Sequence, residues 1–288
     1  MRWESDGRDW PNREASRFLA SGPHVWHVQR QGRGPTILLL HGAGGASHSW
    51  RDVFPLLAKK HDVIAIDLPG QGFTRLGTRS RCGLEAMAED IAGLLRALKA
   101  KPAVIAGHSA GAAIGLRLAL DLTPRPKALV SLNGAFEPFR GVAGFLFPMT
   151  AKLLAMNPFA GLTLSRFAAT PASVRAILSG AGSKIDDRGV ALYHRLLSDP
   201  SHVDATIAMM ARWELEPVLR AATKLRTPAL LVAGSRDGVV PPSVTKEFAE
   251  TLPDAEVVIA PGFGHLHHEE DPLAVAAMIA DRAARGSV

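Results

Sequence analysis

Short apolar runs rich in branched residues alternate along the chain with longer segments in which apolar residues recur every three or four positions. The runs are TILLL (36–40), DVIAID (62–67), AVIAGH (103–108), KALVSLN (127–133), ALLVAG (229–234) and AEVVIA (255–260). Runs this short with little polar alternation predict strands buried on both faces, the pattern of a parallel sheet covered by helices. The longer segments supply those helices. GLEAMAEDIAGLLRALKA (83–100) sets Leu84, Met87, Ala88, Ile91, Leu94, Leu95 and Leu98 on one stripe, and PLAVAAMIADRAAR (272–285) opens with Pro272 at a helix start. The alternation stops between SLNGAFEPF and TPALLVAG. About ninety residues there carry helical patterns only, among them PASVRAILS, GVALYHRLLS and HVDATIAMMARW. The predicted class is α/β, with a core formed by residues 1–136 and 226–288 and a helical cap, or lid, over 137–225.

Composition narrows the class. A chain of 288 residues that is 47% hydrophobic and 21% charged can bury a sizeable core and is unlike a disordered chain. A single cysteine, Cys82, excludes an internal disulfide framework and any site of paired thiolates, so a reducing, cytoplasmic setting is expected. The opening MRWESDGRDW has no apolar stretch of the secretory kind. Residues 141–165 carry Lys152 as their only charge but are broken by Pro148 and Pro158, which suits an apolar surface or lid and not a membrane span. The net charge of +6 comes from scattered Lys and Arg, so no nucleic-acid partner is expected, while peripheral contact of the lid with a membrane stays open.

Chemistry concentrates where strands end. In GHSAG, Ser109 lies between Gly107 and Gly111, after a buried run and before a helical one, the context of a nucleophile elbow. A serine hydroxyl is a poor nucleophile unless a base takes its proton and an acid orients that base. Asp237 in SRDGVVPP and His265 in PGFGHLHHEE follow later strands, in the order Ser, Asp, His, and at the strand ends where open α/β sheets bind ligands. Asp before Gly also suits a plain turn, which leaves Glu137 as a substitute acid; Glu137 precedes Pro138 and opens the insert, which favours Asp237. His267 and His268 compete with His265 for the role of base. The residue directly after Gly264 is preferred. The HLHHEED cluster lacks a second ligand group elsewhere, so no metal is expected.

LLLHGAGGASHSW (38–50) completes the predicted site. The backbone N–H of Ala43 pairs with that of Ala110 as an oxyanion hole. Gly42 and Gly44, with Asp67 at the end of the next run, imitate a dinucleotide fingerprint, but Ser47 replaces the third glycine and His41 stands in the turn. Asp67 therefore reads as a loop-fixing residue, and no cofactor is expected.

With these motifs in place, the chain resembles the α/β-hydrolase-fold proteins over nearly its whole length, with a helical lid inserted after the sixth strand. Within that fold it is similar to the magnesium-chelatase accessory proteins of bacteriochlorophyll biosynthesis in photosynthetic bacteria. The likeness lies in DWPNREASRF, WHVQR, HSWRDVFPLLA, DLPGQGFT, GHSAGAAIGLRLALD, SLNGAFEPFRG, AKLLAMNP, MMARWELEP and GFGHLHHEE. Gln71 departs from it, in a loop that commonly has His. The resemblance implies magnesium-chelatase subunits as partners and a tetrapyrrole as a candidate ligand. Arg140 and Lys152 would meet the propionates of that ligand, and Phe145, Leu146, Phe147, Met149, Leu153 and their neighbours its apolar plane. The residues themselves point to an acyl hydrolase for an apolar substrate. A carbon–carbon bond hydrolase with the same triad and a non-enzymatic tetrapyrrole-binding or chelatase-assisting protein are the alternatives.

Overall fold

In TILLL, Ile37 and Leu39 face one side of a sheet while Leu38 and Leu40 face the other, because successive side chains of a strand point to opposite faces. All four are fully buried, so both sides of this strand are covered. The computed structural model describes residues 1–137, 154, 156, 157, 159–167 and 170–285. Its sheet has eight strands: β1 (Ser16–Ser21), β2 (His24–Gln31), β3 (Thr36–Leu40), β4 (Asp62–Ile66), β5 (Pro102–His108), β6 (Ala128–Leu132), β7 (Ala229–Gly234) and β8 (Ala255–Ala260). They lie in the order β1-β2-β4-β3-β5-β6-β7-β8, antiparallel at β1–β2 and β2–β4 and parallel elsewhere. β3 to β8 are the six predicted runs. β1 and β2 are additional, and β2 buries His24, His27 and Gln29, which breaks the apolar pattern that would have announced it.

The helices, in chain order, are α1 (Trp3–Asp6), α2 (Val53–Ala58), α3 (Leu84–Ala97), α4 (Ala110–Asp121), α5 (Ala160–Phe167), α6 (Pro171–Gly180), α7 (Asp187–Leu197), α8 (Pro200–Ala211), α9 (Glu216–Ala222), α10 (Pro242–Ala249), α11 (His267–Glu270) and α12 (Pro272–Ala284). Several begin on a side-chain cap. Thr170, Asp186, Asp199 and Asp271 accept from the amides of Ser173, Gly189, His202 and Ala274, at 3.1, 2.8, 2.8 and 3.1 Å. Leu38, Leu40, Ile64, Ile105 and Leu231 pack on α3, α4 and α10, whereas Ile37, Leu39, Val63, Val104 and Val232 pack on α2 and α12. Each fully buried Leu or Ile is worth about 1.5–3 kcal/mol, so no charged side chain fits the middle strands.

The chain leaves β3 for β4 on one side and later returns as β5 on the other. That reversal opens a crevice beyond the carboxyl ends of β3 and β5. Helices α5 to α9 lie between β6 and β7. A buried ionic network ties this stretch to the core. Arg51 bonds to Glu269 of α11 and reaches Asp186 at 3.3 Å, and Tyr193 of α7 donates to Glu269 at 2.7 Å. Burial, then the Glu269 carboxylate, push the Tyr193 phenol well above its ordinary value, so it keeps its proton. Arg140, Phe145, Leu146, Phe147, Met149, Lys152 and Leu153 lie outside the described residues. No helix among the described residues is long and apolar enough to cross a membrane.

Breaking a buried pair from one side strands the other charge. Glu269→Ala should therefore cost about 3 kcal/mol, against about 1 kcal/mol for Tyr193→Phe, which removes only a hydrogen bond. Urea unfolding midpoints check this; equal costs would show that the ion pair carries none of the tie.

Candidate active site

Strand β5 ends at His108 and α4 starts at Ala110, so the single residue between them makes the whole turn. That residue, Ser109, has φ 52° and ψ −119°, a conformation non-glycine residues avoid at about 1–3 kcal/mol. Its backbone is held on both sides. Ser109 N donates to Leu132 O at 3.0 Å, and its carbonyl accepts from Ala112 N at 3.0 Å and Ala135 N at 3.2 Å. The flanking glycines are required by contact: a Cβ on Gly107 would lie 2.4 Å from Gly111 O, and one on Gly111 would lie 2.4 Å from Leu40 O.

Behind the turn, His265 Nδ1 and Asp237 Oδ2 are 2.8 Å apart. Asp237 Oδ2 also accepts from Asn133 Nδ2 at 2.7 Å, and Oδ1 accepts from the amides of Val239 and Val240 at 2.8 and 2.9 Å. Four donors face one carboxylate. It therefore serves as an acceptor, and it fixes the His265 proton on Nδ1, leaving Nε2 as the basic nitrogen. The His265 side chain is 10% exposed and that of Asp237 is 0% exposed, so only the imidazole reaches the cavity. His108 supports the same loop by donating Nε2–H to His265 O at 2.9 Å. Burial, reinforced by His265, pushes His108 well below the usual imidazole range, so it is a neutral donor.

The competing residues are not paired with His265. Glu137 lines the cavity, but the His265 Nδ1 partner is Asp237. His267 stacks on Phe263 with ring centroids 4.6 Å apart, and His268 is fully buried beside Trp50 and His108 at 4.7 and 4.4 Å. Burial lowers both of these histidines. Among the described residues, no group of three or more His, Cys, Asp or Glu is placed to hold a metal ion.

The Gly42–Gly45 loop after β3 closes over the turn. A Cβ on Gly42 would lie 2.8 Å from His108 Nδ1 and 3.0 Å from Ser109 Cβ, so the loop backbone rests directly on the elbow. Neither Ala43 nor Ala110 donates its amide to a protein acceptor among the described residues. The next peptide is clamped: Gly44 N donates to Gln71 Oε1 at 2.8 Å, and His202 Nε2 donates to Gly44 O at 3.1 Å while its Nδ1 accepts from Gly72 N at 3.0 Å. Asp67 is fully buried and accepts from Ser47 N at 2.7 Å, Phe73 N at 2.8 Å and His27 Nδ1 at 2.7 Å, which leaves it to fix loops and not to meet a ribose. Ser109, His265, Ala43 and Ala110 line one cavity of about 1200 Å³, whose apolar wall includes Val174, Leu178, Leu197, Met210, Trp213 and Val240.

Comparison with known proteins agrees with this architecture. The family described as alpha/beta hydrolase fold matches residues 35–272. The chain belongs to the α/β-hydrolase-fold family. It is 43% identical over 275 residues to the magnesium-chelatase 30 kDa subunit of Rhodobacter capsulatus, covering 95% of this chain and 96% of that one. It is 30% identical over 271 residues to the uncharacterized hydrolase YugF of Bacillus subtilis (strain 168), with coverage of 92% and 96%. The structure of the epoxide hydrolase CorEH matches with a TM-score of 0.77 at 22% identity, covering 94% of this chain and 98% of that one. At that identity the likeness carries the fold alone.

Three members of this α/β-hydrolase site escape a reading of the sequence. Asn133 sits at φ 52° directly after β6, and an Asn ending a buried strand is a signal for such a turn. His108 and His202 carry no signal, because each acts on a segment distant in sequence. His202 also makes a pH prediction. Burial pushes it down to about 4 from an ordinary 6.5, so between those values the unfolded chain binds a proton that the folded chain refuses. Stability should fall with acidification across that window, by up to about 1.4 kcal/mol per pH unit for each such histidine. Melting temperatures measured from pH 7 to pH 4.5 should drop steeply in the native protein and less steeply in His202→Gln. Parallel curves would rule out His202 as a contributor.

Proposed function

We propose that the chain is a serine hydrolase of carboxylic esters with apolar acyl or alcohol groups. The observation that carries this reading is the His265–Asp237 pair at 2.8 Å on the same cavity as Ser109 in its strained turn. In this mechanism Ser109 Oγ attacks the ester carbonyl carbon while His265 Nε2 takes the hydroxyl proton. Asp237 holds Nδ1–H and stabilises the imidazolium. The tetrahedral oxyanion lies against the N–H groups of Ala43 and Ala110, with the positive end of α4 behind them. Collapse releases the alcohol, which takes the proton from His265. Water then repeats the sequence on the acyl-enzyme and frees the acid.

The helical insert, residues 137–225, acts as the cap of this site, since Val174, Leu178, Tyr193, Leu197, Met210 and Trp213 supply much of the cavity wall. That wall is apolar, so affinity comes mostly from burying apolar substrate surface. The likeness to the Bacillus subtilis hydrolase YugF supports hydrolysis as the reaction class. The 43% identical magnesium-chelatase 30 kDa subunit supports a second, compatible proposal, that the protein works beside magnesium-chelatase subunits. Co-elution with purified chelatase subunits on size exclusion is the expected result; separate elution at micromolar concentrations would remove that association.

Hydrolysis of p-nitrophenyl esters tests the main reading. Ser109→Ala and His265→Ala should abolish it, and Asp237→Asn should lower kcat by about 10⁴-fold, as expected when the imidazole loses its tautomer. Glu137→Gln should stay within a few-fold of the native rate. A crippled Glu137→Gln beside an active Asp237→Asn would reassign the acid, and an active Ser109→Ala would end the proposal.

A further inference from the structure

The acid and base loops touch the insert as closely as they touch the core. At the carboxyl end of α6, Ala181 O accepts from His265 N at 3.0 Å and from Gly238 N at 3.3 Å. One carbonyl thus binds the amide of the base and the amide next to the acid. Two residues on, Ser183 Oγ accepts from Leu266 N at 2.8 Å, and Ser183 is 2% exposed. Glu270 bridges the same segments, accepting from Gly264 N at 2.9 Å and from Lys184 N at 3.2 Å.

The packing here is backbone on backbone. Gly182 has φ +76°, and a Cβ there would lie 1.8 Å from Arg236 O. A Cβ on Gly238 would lie 2.4 Å from Gly180 O, and one on Gly264 would lie 2.3 Å from the Gly182 carbonyl. Glycines from three separate segments are therefore needed at one contact. Ordinary docking of a cap on a core would be served by side chains, as Tyr193 and Arg51 serve it elsewhere. Where peptide groups meet directly, position is fixed more sharply, because they have no rotamers to relax through, and the side chains of Ser183 and Glu270 add hydrogen bonds to that backbone contact.

We propose that the Gly180–Ser183 turn of the insert is a positioning element for the acid–base pair, setting the aim of His265 at Ser109 through Ala181 O and Ser183 Oγ. This rests on the serine-hydrolase reading. Ser183 is a positioning residue, since it acts through the Leu266 amide and touches neither substrate nor reacting atoms. Removing its hydroxyl leaves the cavity wall intact and leaves the Leu266 amide without its acceptor, so His265 loses one constraint while substrate binding is unchanged.

The test compares three proteins in ester hydrolysis and in the rate of phosphonylation by a fluorophosphonate probe. Ser183→Ala should lower kcat and the phosphonylation rate about tenfold with KM within twofold of native. Thr170→Ala removes the cap of the same helix α6, at its far end, and should leave kcat, KM and labelling unchanged even where its melting temperature falls as far. The proposal is overturned if Ser183→Ala keeps native kcat, if its loss appears in KM alone, or if both variants lose activity in step with stability. Absence of probe reaction at Ser109 in the native protein would remove the serine-hydrolase reading, and this proposal with it; native labelling beside an unaffected Ser183→Ala would remove this proposal alone.

Discussion

The carboxyl end of the sheet depends on how closely α4 lies on β3. Gly111 has carbonyl oxygens of Leu40 and His41 where a side chain would begin, at 2.4 and 2.5 Å. Only that approach lets the first turn of α4 come alongside the Gly42–Gly45 loop, and the loop in turn rests on His108 and Ser109 through Gly42. The strain at Ser109 follows from the same geometry, because one residue must join a strand and a helix that are nearly in contact. The hydrogen bonds of its peptide to Leu132, Ala112 and Ala135 keep the turn in place.

A line of Ser, His and Asp does not by itself make such a site, and the molecule contains the comparison. Ser16 Oγ lies 3.0 Å from His27 Nε2, and His27 Nδ1 lies 2.7 Å from Asp67 Oδ2. The distances match those of a catalytic relay, but Ser16 sits on the edge strand β1, accepts from Gln29 Nε2 at 3.2 Å, and none of the three lines the described cavity. Asp67 is occupied by the amides of Ser47 and Phe73. What distinguishes Ser109 is its place at a half-buried elbow on the wall of an apolar cavity, with the Ala43 and Ala110 backbone on the same wall.

Much of this was legible in the sequence, for identifiable reasons. β3 to β7 announce themselves because both faces are buried and so both are apolar, and β8, a half-buried edge strand, does so because all of its residues except Glu256 are apolar. β2 does not, because His24, His27 and Gln29 are buried among hydrogen-bond partners, and β1 does not, because it is an edge strand with no buried residue. Helices α6, α7 and α8 between β6 and β7 were readable from the period of their apolar residues. GHSAG and the order of Asp237 and His265 identified the candidate triad, since those residues follow strands. The clamps did not show: Gln71 and His202 on Gly44, Asn133 on Asp237, and the Ala181 carbonyl on two loops join segments far apart in the chain. Local sequence records periodicity and turns, whereas those contacts exist only once distant segments have packed, core on core for Gln71 and Asn133 and insert on core for His202 and Ala181.

The proposed mechanism requires one convergence, that of the Ser109 hydroxyl, the His265–Asp237 pair and the amides of Ala43 and Ala110 at a single reacting carbon. A crystal structure of the protein after reaction with a phosphonate ester tests it most directly. The account predicts phosphorus bonded to Ser109 Oγ, a phosphoryl oxygen within hydrogen-bond reach of both amides, and His265 still paired with Asp237. An adduct on another residue, or a phosphoryl oxygen turned away from Ala43 and Ala110, would contradict it.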